Sequence, residues 1–462
     1  MESEVVTNKT KWAITAAALL AFLGILVETS LNVTYPTLTK EFNVSLGTMQ
    51  WATSGYLLMV TIIMSSTAYL IKRFEARNLF LLATTFYLCG TLLCSVAFSF
   101  PILMVGRLLQ AVSTGLATPI MFHIILSLVP QHKLGLYMGV GSMVTSFAPA
   151  LGPTYGGFLT SFLSWRAIFL LILPLLIFII VAGKNNIDLK AAGTDHQGFD
   201  WVGLCFLSAI FISLSVAFAS AGNYGFNSRN FIFFIVIFIV VFILFAIHLH
   251  NSAKKILNFN LLLQPVVGLR WLNFFILQFI NIGISFVLPI LAQDYLGAAT
   301  FTAGLILFPG ALLGALVAPL AGRLFDRKGA ALPLFIANSM MLIGCLLFYF
   351  KTWSLSVVSI CLIYIFLRVG FNFGFGNTMS DASKQVNIKK RADINSLFNT
   401  FQQYAGSFGT SVLSAVISVF QLQEGQTQAY LTAAGSQVDF IILAVLASVG
   451  LATVFLSTKA IK

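Results

Sequence analysis

The sequence carries very little charge: only 9% of its 462 residues are Asp, Glu, Lys or Arg, against about 25% in a typical soluble domain. It also lacks polar stretches between its apolar runs that exceed about 20 residues, whereas a small folded domain needs about 50. Both deficits exclude a soluble enzyme and leave no room for a separate soluble domain. Hydrophobic residues are instead in excess and make up 58% of the sequence. This composition indicates an integral membrane protein.

Cysteine and histidine are also scarce, with five residues of each. The cysteines lie within apolar runs and form no CxxC pair, which predicts neither disulfides nor metal ligands. His248 and His250 flank the inner end of a predicted helix, and no Cys/His cluster completes a metal site there. We therefore expect no metal site.

Apolar runs of about 18 residues or more predict an all-α membrane protein with fourteen transmembrane helices, arranged as six, two and six. This pattern predicts a six-helix bundle in residues 1–183, a linker with two extra helices in 184–266, and a second six-helix bundle in 267–462. The predicted spans are 12–38, 48–71, 78–99, 102–129, 135–160, 165–183, 201–220, 231–250, 267–293, 302–325, 331–350, 355–377, 394–420 and 438–458.

The basic residues predict the orientation of these spans. The chain has 26 Lys and Arg residues. Twenty of them, including Arg270, lie in loops on the same side of the membrane as the amino terminus, four lie on the opposite side, and two lie within apolar runs. Basic residues accumulate on cytoplasmic loops, so both termini are predicted to be cytoplasmic. The net charge of +12 is thus a topology signal. No aromatic-rich basic face indicates a nucleic-acid partner.

The two arginines within apolar runs suggest an internal repeat. Arg107 is followed eight residues later by Gly115, and Arg368 is followed eight residues later by Gly376. Two parallel six-helix repeats would place a substrate site near the midplane of the membrane, between the halves.

Five motifs lie on the predicted spans in a consistent order, and they resemble the major facilitator superfamily, specifically its fourteen-span drug:proton antiporter branch of multidrug and lincomycin efflux transporters. Two features depart from the family pattern: Glu28 stands one position later than the usual aspartate, and Lys72 and Glu75 degrade the first-half copy of the inner-loop motif. The motifs are VETSLNVTYP (27–36), Arg107 with Gln110, LGPTYGG (151–157), SWRAIF (164–169) with the pair Asp200 and Trp201, and GRLFDRKG (322–329).

The resemblance implies two six-helix bundles of the major facilitator fold plus two extra central helices. It further implies export of lipophilic or cationic compounds by alternating access, with protons as the coupling ion and no cofactor. The expected setting is the cytoplasmic membrane of a bacterium, where the chain would act as a monomer surrounded by lipid.

Three residues are candidates for proton coupling. Glu28 is the only acid deep within a predicted span, where a charged carboxylate costs several kcal/mol and the protonated form is favoured. Asn32 is four residues away, on the same helical face, and could hydrogen-bond to it. Arg107 keeps its charge and could bias the protonation of a nearby acid. The alternative is structural: a permanent ion pair for Glu28 and helix packing for Arg107. Arg368 is expected to be structural, because its surroundings match less of the motif.

Two further motifs predict moving parts. Gly152, Pro153, Gly156 and Gly157 combine small residues with a helix-breaking proline, which suits either a rocking helix contact or static packing. At the inner end of a later span, charge pairing could lock a gate; a merely solvated loop is the alternative. The predicted gating residues are Gly322, Asp326, Arg327, Gly329 and Arg73.

Polar and aromatic side chains predict the walls of a substrate cavity, because a helix with one polar face must turn it away from lipid. Asp294 is a possible second proton or cation site, although a solvated interfacial acid is expected more often, and Asp439 also lies near a predicted outer span end. His123 could relay protons or simply pack. The predicted cavity residues are Trp51, Tyr56, Gln110, Gln278, Asn281, Asn372, Asn399 and Gln403.

The sequence thus favours a proton-coupled multidrug exporter. An exporter of a dedicated lipid, fatty acid or metabolite would share these features. A non-transporting sensor or lipid-binding scaffold would not need the proton-site and exporter motifs. A membrane enzyme is not supported, because no nucleophile, base and orienting group can be placed together on one membrane face.

Overall fold

The computed structural model describes residues 6–189, 199–252, 257–387 and 390–461. Within these ranges the chain forms eighteen α-helices and two short 3-10 helices, with no strand. The α-helices are α1 (Asn8–Asn32), α2 (Tyr35–Phe42), α3 (Leu46–Met49), α4 (Trp51–Arg73), α5 (Ala76–Ser95), α6 (Phe100–Leu128), α7 (Gln131–Phe162), α8 (Ala167–Leu170), α9 (Leu173–Asn186), α10 (Trp201–Tyr224), α11 (Arg229–Asn251), α12 (Pro265–Asp294), α13 (Thr300–Leu305), α14 (Phe308–Lys328), α15 (Ala331–Lys351), α16 (Val357–Lys384), α17 (Arg391–Gln421) and α18 (Gln428–Ile461).

Eleven segments of the described chain are long and apolar enough to cross a bilayer, which confirms an all-helical membrane fold. Three further long helices, α4, α7 and α17, coincide with predicted spans but are not among the eleven. The eleven segments are α1, α5, α6, α8 with α9, α10, α11, α12, α13 with α14, α15, α16 and α18.

Several span boundaries differ from the sequence prediction, and two of these differences concern α1 and α18, the helices that carry Glu28 and Asp439. The predicted span 12–38 is two helices, because α1 ends at Asn32 and Pro36 occupies the first turn of α2, where its missing N–H costs nothing. The last helix begins at Gln428, ten residues before the predicted start at 438. Its first turns contain Thr, Ser and Gln, so hydropathy alone did not reveal them as part of the helix.

The long helices pack into two groups that follow the chain order. In the amino-terminal half, α1 packs against α6, α7 and α9, while α4 and α5 pack against α6. In the carboxyl-terminal half, α12 packs against α16, α17 and α18, and α15 packs against α16 and α18. These two groups contain the residues predicted to form the proton site and most of the cavity.

The two halves meet along two seams. In the first seam, α7 packs against α13 and α14; in the second, α4 packs against α17. Helix α10 lies over the second seam, because it packs against α4, α17 and the short α3. Helix α11 packs against α10 and has one buried residue, Phe245. The extra pair therefore consists of one seam-covering helix and one peripheral helix.

Hydrogen bonds between described residues of the two halves concentrate at one end of the molecule. Gln293 Nε2, in the last turn of α12, donates to Val33 O at 2.8 Å. The Phe301 N–H, in the first turn of α13, donates to Ser161 Oγ at 2.9 Å. The ring of Tyr35 packs edge-on against Phe286, with centroids 5.6 Å apart. We call this end, where α1, α7 and α12 terminate, the closed end, and the opposite one the open end.

Candidate functional site

Glu28 lies one turn from the end of α1 and is only 5% exposed. Among the described residues, no Lys, Arg or His nitrogen comes within 4.0 Å of its carboxylate. Arg107 on α6 is the charged residue whose field acts on it. The structure therefore brings the predicted acid and cation into electrostatic range without a direct ion pair.

Arg107 is fully buried and only partly satisfied. Its Nε donates to Ala52 O at 3.2 Å, and its Nη1 donates to Gln110 Oε1 at 3.0 Å. Its guanidinium carbon lies 4.0 Å from the centroid of the Tyr56 ring, a cation–π contact. Its Nη2 has no hydrogen-bond partner in the described structure. The buried Nη2 group thus remains available to a carboxylate or a substrate.

Tyr56 ties this cation to α1 and α6. Its hydroxyl donates to Gly24 O at 3.1 Å and pairs with Thr114 Oγ1 at 2.6 Å. Gln110 Nε2 donates to Thr91 Oγ1 at 2.9 Å, so both ends of this amide are engaged. Tyr56 and Gln110, predicted as cavity residues, have no exposed surface here. In this conformation both side chains contact the Arg107 guanidinium and hold it in place.

Asn32 does not hydrogen-bond to Glu28, contrary to what the four-residue spacing suggested. Its Oδ1 accepts from Thr53 Oγ1 on α4 at 2.7 Å, and Thr53 also pairs with the Tyr35 hydroxyl. The spacing was correct for one helical face, but the bond that the Asn32 side chain forms is to a hydroxyl of the neighbouring helix. Asn32 therefore links α1 to α4 next to the acid.

The antiporter motif brings backbones into contact on both sides of α7. A Cβ added at Gly156 would lie 2.2 Å from Ser30 O on α1. One added at Gly157 would lie 2.7 Å from Thr300 O on α13. In return, Gly304 of α13 faces Pro153 O so closely that an added Cβ would lie 2.1 Å from it. Pro153, Gly156 and Gly157 of the motif thus join the end of α1, which carries Glu28, to the other half of the molecule.

The predicted gating residues lie at the open end and are not joined to one another. Asp326 and Arg327 are exposed at the end of α14, and Asp326 forms no ion pair with any residue that the structure describes. Gly329 follows with φ +74°, which favours glycine, and its N–H caps the helix at Phe325 O. Gly322 has open space around it. Arg73 donates to Tyr69 OH on its own helix at 2.9 Å.

The carboxyl-terminal cavity candidates form a second polar group. Arg368 Nη1 on α16 donates to Asn281 Oδ1 on α12, and Asn372 Nδ2 donates to Arg368 O at 2.9 Å. Gln278, one turn before Asn281, is 5% exposed, with no partner for its Oε1 in the described structure. The structure thus joins Asn281 and Asn372 through Arg368, a residue that the sequence analysis treated as structural.

The remaining candidates are more dispersed. Asn399 and Gln403 lie half-buried on α17, and Trp51 lies at the edge of an apolar cluster between α4 and α10. Asp294 accepts from Thr432 Oγ1 at 3.2 Å at the closed end. His123 is half-buried on α6. His248, interpreted as interfacial, instead pairs with Asp200 Oδ1 at 2.9 Å and links α10 to α11.

The sequence analysis did not recognise that three charged residues, Arg270, Asp381 and Asp439, are buried. Arg270, counted with the inner loops, is 1% exposed within α12; its Nε donates to Asp381 Oδ2 at 2.7 Å and its Nη1 to Ser457 Oγ at 2.7 Å. Asp439 is fully buried well inside α18, so Glu28 is not the only acid deep within a helix of this bundle. The early start of α18 is the reason, since a span beginning at residue 438 made Asp439 look terminal.

Long apolar helices in two halves, with buried charges between the helices and contacts concentrated at one end, define a membrane transporter. A model of the Major Facilitator Superfamily matches residues 17–410, and the chain belongs to this superfamily of transporters, which are not enzymes. The lincomycin resistance protein LmrB of Listeria innocua is 31% identical to it over 442 residues, 93% of each protein.

Two further comparisons agree. The multidrug export protein EmrB of Haemophilus influenzae is 24% identical over 402 residues, 86% of this chain and 78% of that protein. The fold is similar to the crystal structure of a bacterial homologue of the human lysosomal transporter Spinster, in an inward-facing and unoccupied conformation. The TM-score is 0.70 and the identity 15%, with 98% of both chains covered. These findings confirm the predicted relationship to major facilitator multidrug efflux transporters.

Proposed function

We propose that this protein exports lipophilic and cationic compounds in exchange for protons, with Glu28 as the proton carrier. The observation that carries the proposal is a buried carboxylate that forms no ion pair in the described structure, within the field of an arginine whose buried Nη2 has no hydrogen-bond partner there. Such an acid can gain and lose a proton during a transport cycle, whereas a permanently paired acid is held in its charged form.

We further propose fourteen spans, with the halves at 1–183 and 267–462 and the extra pair in 184–266. Helices α4, α7 and α17 have 23, 32 and 31 residues, enough to cross a bilayer. Each lies between two of the apolar segments along the chain. With this span count, the distribution of basic residues favours a cytoplasmic position for both termini. The closed end would face outward, and the structure would represent an inward-facing state of a monomeric bacterial cell-membrane protein.

The mechanism that follows is alternating access between these two ends. A substrate enters from the open end and reaches the polar residues of α12 and α16. Protonation of Glu28 from outside removes its charge and weakens its attraction to Arg107, which frees α1 to shift against α7. Release of the proton to the cytoplasm restores the attraction. Because each half-cycle needs the opposite protonation state, substrate and proton move in opposite directions.

The test is transport in proteoliposomes with an imposed pH gradient and a panel of lipophilic dyes. We expect Glu28→Gln to abolish proton-driven efflux while the protein remains folded, because a glutamine cannot release a proton. Glu75→Gln, at an exposed acid before α5, is the matched control and should transport normally. Normal efflux by Glu28→Gln would refute the assignment. A narrow substrate range would favour the dedicated-substrate exporter, and no transport of any compound would favour a sensor or scaffold.

A further inference from the structure

A second buried acid, Asp439, lies in the carboxyl-terminal half. It is fully buried on α18, and neither of its carboxylate oxygens has a hydrogen-bond partner in the described structure. Burying an unpaired carboxylate is far costlier than burying a neutral carboxylic acid. This contrasts with Asp381, which Arg270 pairs directly.

A polar stripe leads from Asp439 towards the closed end. Ser436 and Thr432 precede it by three and seven residues, so all three side chains share one face of α18. Both hydroxyl residues are fully buried, and the Ser436 hydroxyl has no partner among the described residues. Thr432 Oγ1 donates to Asp294 Oδ2 at 3.2 Å, and Asp294 is only half-buried at the end of α12.

Helix α17 packs against α18 and has a further polar side chain, that of Ser414, at the level of Asp439. Gln421 Nε2 donates to Thr432 Oγ1 at 2.8 Å, and Gly435 abuts the Cα of Ile417. The two helices are antiparallel. Starting from the contact between Gln421 and Thr432, seven residues back along α17 is Ser414 and seven residues forward along α18 is Asp439, so these two residues lie at the same level. The Ser414 hydroxyl is likewise buried without a partner in the described chain.

Among the described residues, no cation pairs with Asp439. Helix α18 packs against α12, α15, α17 and the 3-10 helix Thr352–Ser354, which has no titratable residue. None of the described titratable residues on these elements forms an ion pair or hydrogen bond with Asp439: Arg270, Asp294 and Tyr295 on or beside α12, Cys345, Tyr349 and Lys351 on α15, and Arg391, Asp393 and Tyr404 on α17.

We propose that Asp439 is a second proton-binding site, which exchanges its proton with the solution at the closed end through Ser436, Thr432 and Asp294. In the described structure only the Asp294–Thr432 link is hydrogen-bonded, so the Ser436 hydroxyl and the Asp439 carboxyl would have to turn into contact before a proton could pass. A proton from water at Asp294 would then enter the chain, each hydroxyl would accept one proton and pass on another, and the Asp439 carboxylate would become a neutral acid. Return of the proton reverses these steps. A role of this site in transport rests on the proposed function; proton binding itself does not.

The test is infrared difference spectroscopy on the full-length protein in lipid, transferred from H2O to D2O at neutral pH. The wild-type spectrum minus that of Asp439→Asn should contain one carboxylic-acid C=O band that shifts with deuterium. Ser436→Ala should slow that shift several-fold. Ser448→Ala is the matched control, because its hydroxyl bonds to Ala444 O on the same helix outside the stripe, and it should leave the rate unchanged.

Absence of the Asp439 band would overturn the proposal, and so would exchange as fast in Ser436→Ala as in the wild type. If Asp439→Asn does not fold, the exchange rates of the two serine variants still decide the question. The measurement needs no substrate. A wild-type protein that keeps this band but lacks proton-driven efflux would therefore refute the proposed function alone, whereas efflux without the band would refute only this inference.

Discussion

Two buried acids of this chain lie in opposite electrostatic settings. Asp381 is held by Arg270 Nε at 2.7 Å, and Ser457 occupies another nitrogen of the same guanidinium. Glu28 has the field of Arg107 but no direct ion pair in the described structure. A directly paired acid is held in its charged form and serves structure, whereas an unpaired acid can exchange a proton. This difference is the reason for proposing Glu28, and not Asp381, as the coupling residue.

Arg107 is expected to act through the shape of its guanidinium as well as its charge. Lysine would keep the charge but lose the planar stack on Tyr56 and the simultaneous bonds to Ala52 O and Gln110. We expect Arg107→Lys to reduce proton-driven efflux about tenfold or more, equivalent to at least about 1.4 kcal/mol. Initial efflux rates in proteoliposomes would measure this, with Arg229→Lys on the exposed start of α11 as the control. Equal losses in both variants would contradict a special role for Arg107.

At the level of elements, α7 is the helix that contacts both the turn of α1 carrying the proposed proton site and the other half of the molecule. Its glycines allow backbone contact with α1 on one side and α13 on the other. The extra helix α10 seals the other seam in a similar way, because Gly222 lies against the Cα atoms of Ala415 and Gly47. Close packing of small residues replaces the hydrophobic driving force that lipid does not supply.

Gly156 offers a direct test of this packing. An alanine there would place its Cβ against the Ser30 carbonyl, a backbone atom that cannot rotate away, so we expect Gly156→Ala to destabilise the protein by about 1–3 kcal/mol. Thermal unfolding in detergent should show a lower midpoint. Gly376→Ala, inside α16 with open space around it, is the control and should unfold at an equal or higher temperature. A normal midpoint for Gly156→Ala would show that α7 is packed loosely.

The sequence predicted the helical elements well where apolar runs were long, and less well where polar residues continued a helix. It missed the first turns of α18 because they contain Thr432 and Ser436, and with them the burial of Asp439. It identified Glu28 because an acid inside a long apolar run stands out. It could not foresee that Asn32 bonds to Thr53, since side-chain partners on another helix depend on packing.

At the scale of the whole molecule, the proposed inward-facing state predicts that the two halves are in contact at the closed end and apart at the open end. Ser161 and Phe301 meet across the halves at the closed end, while Arg73 and Asp326 are exposed at the open end. Their different surroundings make the state of the carrier testable by cross-linking.

In a variant whose five native cysteines are replaced by alanine, we expect Ser161→Cys with Phe301→Cys to form a disulfide on mild oxidation. This bond should stop efflux, because the closed end could no longer open, and a reductant should restore it. Arg73→Cys with Asp326→Cys should not cross-link under the same conditions. Gel mobility and dye efflux would report both results. Equal cross-linking of the two pairs would contradict the asymmetry.

The central claim is that Glu28 releases a proton when substrate binds. Its most direct test is to measure proton release into weakly buffered solution when a transported dye is added to the purified protein. We expect the wild type and Glu75→Gln to release protons. Glu28→Gln should release fewer, because the glutamine amide that replaces the Glu28 carboxyl group cannot release a proton. Undiminished proton release from a folded Glu28→Gln protein that still binds the dye would contradict the account.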